Sequence, residues 1–209
     1  MLISTHTRRL ASALALAAAF AAAHATLARA DEIIRVRGTI ASFDGTAALV
    51  VKTREGPEAT IALRPGFGVS GMARVSLSDI KPGDYVGIAS VPGRRGGDDA
   101  LEVLVFPAAM KGAGEGNYPW DLKPNSSMTN GSVAEAVKSV NGHALTLSYH
   151  GQSKTITVPN GVPVVTFAAA DKGDLKPGAA MFAIAQKDTQ GGLSAGRVTV
   201  GTNGVVPPM

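Results

Sequence analysis

Two turns of nearly the same composition lie about 95 residues apart in a chain of 209: Ser78-Asp79-Ile80-Lys81-Pro82-Gly83 and Gly173-Asp174-Leu175-Lys176-Pro177-Gly178. Each has a mechanism. Asp caps the local backbone, Pro presets φ at the second turn position, and Gly takes φ > 0 at the third. From Gly66/Gly161 to Val103/Val198 the correspondence needs no gap, so Val69 meets Val164 and Met72 meets Phe167. Apolar and turn positions agree in one register, which predicts an internal duplication. Whatever unit one half builds, the other half must build too.

That unit reads as strands. In the first half, Ile34, Val36 and Gly38 alternate with Arg35, Arg37 and Thr39, the period of a half-buried strand. Asp44-Gly45 signals a hairpin, and the β-branched run Leu49-Val50-Val51-Lys52-Thr53 returns from it. A third strand follows from Ala59. The stretch from Arg64 to Ser78 is less regular, with a short helical turn expected near Val75 to Asp79. Two more strands, Tyr85 to Val91 and Ala100 to Phe106, complete the unit. The second half repeats the order, with its hairpin signal at Val140-Asn141-Gly142. Three strands, an irregular piece and two strands form the element order of an OB-fold. A closed barrel also removes the edges that an open sheet of this size would expose. The expected fold is all-β: two tandem five-stranded OB-like barrels at 31–107 and 132–209, joined by an ordered, irregular connector at 108–131.

The connector is rich in Gly, Pro, Asn and Ser, yet it holds the only tryptophan. A long stretch without regular structure is unusual inside a compact protein unless it is functional or disordered. Tyr118, Trp120 and Asp121 are therefore the candidate site residues. The expected role is to lock the barrels together, with Trp120 substantially buried; the alternative is an anchor for a partner.

Residues 1–30 read as a cleaved secretory signal. A short basic segment with Arg8 and Arg9 precedes the apolar run from Leu10 to Ala23, and Ala28-Arg29-Ala30 offers small residues at the cleavage positions. General export is preferred to the twin-arginine route, because Ala11-Ser12 is a poor sequel to Arg8-Arg9. Removing the leader takes three arginines and no acid, leaving 17 basic residues against 16 acidic ones. The mature chain is almost neutral, so the precursor's basic balance gives no support for nucleic-acid binding. The expected location is the periplasm or the medium, with no membrane span in the mature chain.

Catalytic and metal chemistry find little support. There is no cysteine. His143 and His150 flank one expected strand and would stand roughly 23 Å apart, too far to share a metal. Asp98-Asp99-Ala100-Leu101-Glu102 lacks the dense ligand spacing of a calcium loop and reads as a solvated hairpin tip. The glycines from Gly66 to Gly71 make neither a nucleophile elbow nor a dinucleotide loop. No catalytic residue, metal ligand or cofactor is expected.

Arg35-Val36-Arg37-Gly38-Thr39-Ile40, the turn at Ser78 to Gly83 and the segment from Gly114 to Asn130 together resemble uncharacterised exported bacterial proteins with paired OB-like repeats of unknown function. The resemblance covers most of the mature chain. It implies architecture and export and supplies no catalytic residue. The expected function is a non-enzymatic periplasmic binding or scaffolding module, its partner an unknown envelope protein or small ligand. The alternative is a soluble periplasmic carrier of a ligand or metal, associated with a transporter.

Overall fold

Alternating apolar residues and tight turns do set the fold, and the pairing of the strands is long-range. The computed structural model describes residues 32–94, 96–139 and 142–207. The expected leader at 1–30 lies outside the described residues, as do Val140 and Asn141 of the second hairpin tip. Glu32–Met209 forms one compact unit. Among the described residues its regular structure is strand, apart from three short 3₁₀ turns.

β1 (Glu32–Phe43), β2 (Ala48–Thr53) and β3 (Glu58–Arg74) form an antiparallel meander. Asp44 sets its first turn: one carboxylate oxygen accepts the backbone N–H groups of Thr46, Ala47 and Ala48. The irregularity expected at Arg64 to Ser78 is a bend inside one 17-residue strand. Pro65 and Gly66 sit where β3 interrupts its pairing, and Gly66 takes φ 73°. A strand tolerates proline and a left-handed glycine at such a break, where no ladder bond is lost. After β3, Leu77–Asp79 make a 3₁₀ turn close to the expected position.

β4 (Tyr85–Pro92) and β5 (Asp98–Val105) are an antiparallel pair. β6 (Gly116–Pro119) pairs with β7 (Ser127–Ser139), so a small hairpin lies within the connector, which was expected to be irregular. β8 (Gly142–Tyr149), β9 (Gln152–Pro159) and β10 (Val164–Ala168) come next. A 3₁₀ turn at Lys172–Asp174 leads to β11 (Ala180–Lys187) and β12 (Leu193–Gly201).

Five strands close a barrel. β12, β11, β1, β2 and β3 pair in that order, and β12 returns to lie parallel to β3. Its core holds Ile40, Leu49, Val51, Ile61 and Leu63 from the first half and Leu175, Met181, Ala183, Val198 and Val200 from the second. The boundaries 31–107 and 132–209 therefore do not enclose this barrel's strands. The reason is physical: the neighbour that closes the barrel at β3 runs parallel to it, which a hairpin cannot supply, and the chain fills that place from its far end.

The further strands continue from β3 through β10 to β5, β4, β7, β8 and β9. β5 also meets β9 in parallel at Asp98↔Ile156 and Asp99↔Thr157. A second apolar cluster among them again mixes both halves, with Ile80, Val86 and Val103 against Val133, Leu145 and Ile156. Met72, Leu104, Val165 and Val205 form a third cluster near the crossing of β3 and β10.

Placing a charge at Val198 tests the closure. Val198→Asp is expected to strip amide-exchange protection from β1–β3, more than 120 residues away in sequence, before it affects β7–β9. Equal loss in both groups, or loss confined to β12, would contradict it.

A candidate ligand cleft beside the connector strap

The strap is the connector hairpin, and it is fastened to the outer face of β1. Alternation along β1 sends Ile34, Val36 and Ile40 inward to the core, which turns Arg35 and Arg37 out. Asp121 meets both of them, 2.8 Å from Arg37 Nη2 and 3.6 Å from Arg35 Nη1. Burial pushes the Asp121 carboxyl up, but the Arg37 hydrogen bond and the two guanidinium charges outweigh it and hold it below the usual carboxylate range. The Arg35 guanidinium lies 4.0 Å from the Trp120 ring centroid, a cation–π contact. Tyr118 stands edge-on to Trp120 at 6.0 Å. The structure thus brings all three candidate residues together, on one strand of the barrel.

Trp120 is half-buried rather than enclosed. Its indole N–H is shielded from solvent without a hydrogen-bond partner among the described residues. Other ties hold the strap as well. Asn130 Nδ2 donates to Tyr118 Oη at 3.1 Å and to the Ala113 carbonyl at 3.2 Å, and Tyr85 Oη donates to the same carbonyl. The Trp120 amide donates to the Ser126 carbonyl at 2.8 Å and closes the hairpin.

Next to the strap lies a cavity of about 730 Å³, within the size range of small-molecule sites. Arg37 and Gly38 of β1, Lys52 of β2, and Arg54 just beyond it form one wall. Leu101 and Glu102 of β5 face them. Leu122 and Lys123 of the strap, with Val205 and Pro207 of the C-terminal segment, complete the opening. Two different strand groups and the connector therefore build one cleft.

Glu102 is its unusual member. Ala100 and Val103, three apart, both enter the second apolar cluster, which an unbroken strand does not allow. A bulge accounts for it: opposite β4, Ala89 pairs with Glu102 and Ser90 with Ala100, leaving Leu101 as an extra residue. The extra residue switches the face of its successors on the strand and places Glu102 among the residues that line the cleft. The expectation of a solvated hairpin tip is overturned here: Glu102 is 1% exposed, and Asp98 is tied to Lys154 at 2.8 Å.

Both Glu102 carboxyl oxygens are buried with no hydrogen-bond partner among the described residues. Burial pushes its pKa up to about 8, against the opposing pull of Arg37 and Arg54. The group is thus held protonated near neutral pH. Among the described lining residues it is the only acid, facing Arg37, Lys52, Arg54, Arg74 and Lys123. Arg37 is itself 6% exposed and bonded to Asp121. The arrangement is an apolar-walled, cationic cleft with one neutral hydroxyl donor at depth.

His143 lies on β8 and His150 follows β8 in a left-handed turn, apart from this cleft. Among the described residues no group of three or more His, Cys, Asp or Glu converges as a metal site would require. No helix among them is long and apolar enough to cross a membrane. No family model, curated protein or solved structure matches this chain.

Between its ordinary 4.5 and its folded value of about 8, Glu102 keeps a proton in the fold that the unfolded chain gives up. Stability from this group is full below pH 4.5 and drains away as pH rises through 8. Glu102→Gln removes the titration, so it is expected to be near neutral in acid and to stabilise by roughly 5 kcal/mol in alkali, as read from urea midpoints across pH. An unchanged pH profile would refute the burial argument. Trp120→Ala is expected to cost about 1–3 kcal/mol in the same assay, less than a fully enclosed ring, because one face of the contact is a guanidinium. An unmoved midpoint would leave the strap without a stabilising role.

Proposed function

We propose that this chain is a non-enzymatic binding protein, exported from the cytoplasm, that carries a small ligand in the cleft around Glu102. The observation that supports it is a buried acid, Glu102, that lines a ligand-sized cavity and whose two oxygens have no hydrogen-bond partner among the described residues. A buried polar group without a partner costs free energy, and a ligand group or water in the cleft would relieve that cost. In this reading Tyr118, Trp120 and Asp121 pack the strap onto β1, and the strap holds Leu122 and Lys123 at the cleft. Export rests on the basic, apolar and small-residue order of residues 1–30.

The architecture in this reading is a pair of OB-like barrels, arisen by duplication, that have traded their last two strands. Strand registers support it. Val198 pairs with Val69 and Val103 with Val164, equivalent pairs in the duplication. Leu193↔Ile61 and Asp98↔Ile156 match in the same way. The two repeated turns dock alike: the Gly83 amide donates to the Val133 carbonyl at 2.8 Å, and the Gly178 amide to the Ile40 carbonyl at 2.9 Å. Both glycines take a left-handed φ, 95° and 88°, which the Pro-Gly turn requires.

A second reading has its own observation. Ile33 and Ile184 are 55% and 51% exposed and lie diagonally on the outer face of the β1–β11 pair, beside Arg35 and Trp120. Such a patch suits an envelope protein partner. Native mass spectrometry of the protein purified from its own host separates the two. A bound small molecule lost on gentle activation is the expected result. A bare chain that instead holds a protein, released by Ile184→Ser, would favour the patch.

A further inference from the structure

We propose that the ligand is a small amphiphilic acid: an organic anion with an apolar body, whose anionic oxygen accepts a hydrogen bond from the Glu102 carboxyl at the base of the cleft. The proposal rests on the cleft being the binding site proposed above and adds the chemical class it selects.

Three features set the class. The first is charge. Arg54 and Arg74 are exposed at the cleft, as are Lys52 and Lys123, while Glu102 is the sole acid among the described lining residues. A cationic ligand would meet four positive rim groups before reaching that acid; an anion is drawn in by them. The second is the state of Glu102. A carboxyl that keeps its proton donates one hydrogen bond and suits an acceptor, whereas an amine or guanidinium would need it ionised in a place where burial opposes the charge. The third is the wall. Leu122, Val165, Met181, Val205 and Pro207 line the cavity with apolar surface, more than a bare inorganic anion would use. Together they describe an acceptor head and a hydrocarbon or aromatic body.

Among the described lining residues, the charged groups around Glu102 stand on or next to β1, β2, β3 and the strap, and β10, β11 and the C-terminal segment line the cleft without charge. Arg37 stands on β1, Lys52 on β2, Arg54 just after β2, Arg74 at the end of β3, and Lys123 on the strap. As Glu102 ionises, the groove loses its donor and gains a carboxylate that repels an anion. Binding of an anion should weaken as pH rises through that ionisation, so the cleft takes up its ligand at neutral or acid pH and releases it in alkali.

The test uses 8-anilinonaphthalene-1-sulfonate, a fluorescent amphiphilic anion of the right size, with decanoate, decanol and decyltrimethylammonium as competitors below their aggregation concentrations. At about pH 6.5 decanoate is expected to displace the dye, with the neutral and cationic analogues at least about tenfold weaker. At about pH 9.5 decanoate affinity should fall by about tenfold or more, and in Glu102→Gln that pH dependence should vanish. Arg54→Ala/Arg74→Ala, both exposed side chains, should weaken decanoate by a similar factor while the thermal midpoint stays in place, which controls for folding. Displacement by decanol or decyltrimethylammonium as good as by decanoate would overturn the anionic class and leave the cleft as a binding site. Anion affinity untouched in the double arginine variant would also overturn it, by placing the dye elsewhere. A wild-type pH fall that survives Glu102→Gln would overturn the role of Glu102. If no probe of any charge binds and the purified protein is bare in native mass spectrometry, the carrier reading falls with it.

Discussion

The parallel pairing of β12 with β3 governs this molecule. β1, β2 and β3 can fold on each other locally, but a three-stranded meander leaves two open edges and a half-covered apolar face. Only residues 180–201 close that gap, supplying Met181, Ala183, Val198 and Val200 to the same core as Ile40 and Leu49. Contacts so distant in sequence cost loop-closure entropy before they stabilise anything. The barrel is therefore cooperative across the whole chain: the strands of its first half have no finished core without the last strand of the second.

The cleft depends on the same arrangement. Its walls come from β1 and the end of β2 on one side and β5 on the other, groups that meet because β10 bridges β3 and β5. A bulge at Leu101 then turns one acid toward the cavity. The strap adds the third side, held by Asp121 between two arginines. None of these three devices creates a site alone. Their coincidence leaves a carboxyl with no hydrogen-bond partner among the described residues beside a ring of cations.

Much of the local structure was legible in residue order. Turn chemistry placed Asp44-Gly45 and both Pro-Gly turns, and period-two alternation located most strands. The pairing of β12 with β3 was not legible, because a strand has the same pattern whichever neighbour receives it. The stretch from Arg64 read as less regular than a strand; in the fold Pro65 and Gly66 occupy a pairing gap within β3. Tyr118, Trp120 and Asp121 stood out as aromatic and acidic residues in a polar stretch, but Arg35 and Arg37 read only as alternate positions of a half-buried strand. Glu102 read as part of a solvated hairpin tip because a bulge, invisible in a period-two count, sets its place on the strand. A buried alternation position occupied by Glu between Ala100 and Leu104 was the one available signal.

Proteins are made from the N terminus, and the order of closure here runs against that direction. When β1–β3 emerge, the strand that must lie along β3 has not been synthesised, and it arrives only with residues 193–201. For most of translation the nascent chain holds an unfinished sheet with exposed edges and cannot commit to its final form. On the proposed export route, a chain of this topology reaches a membrane channel still threadable, and its folding begins in earnest only on the side where its tail is released.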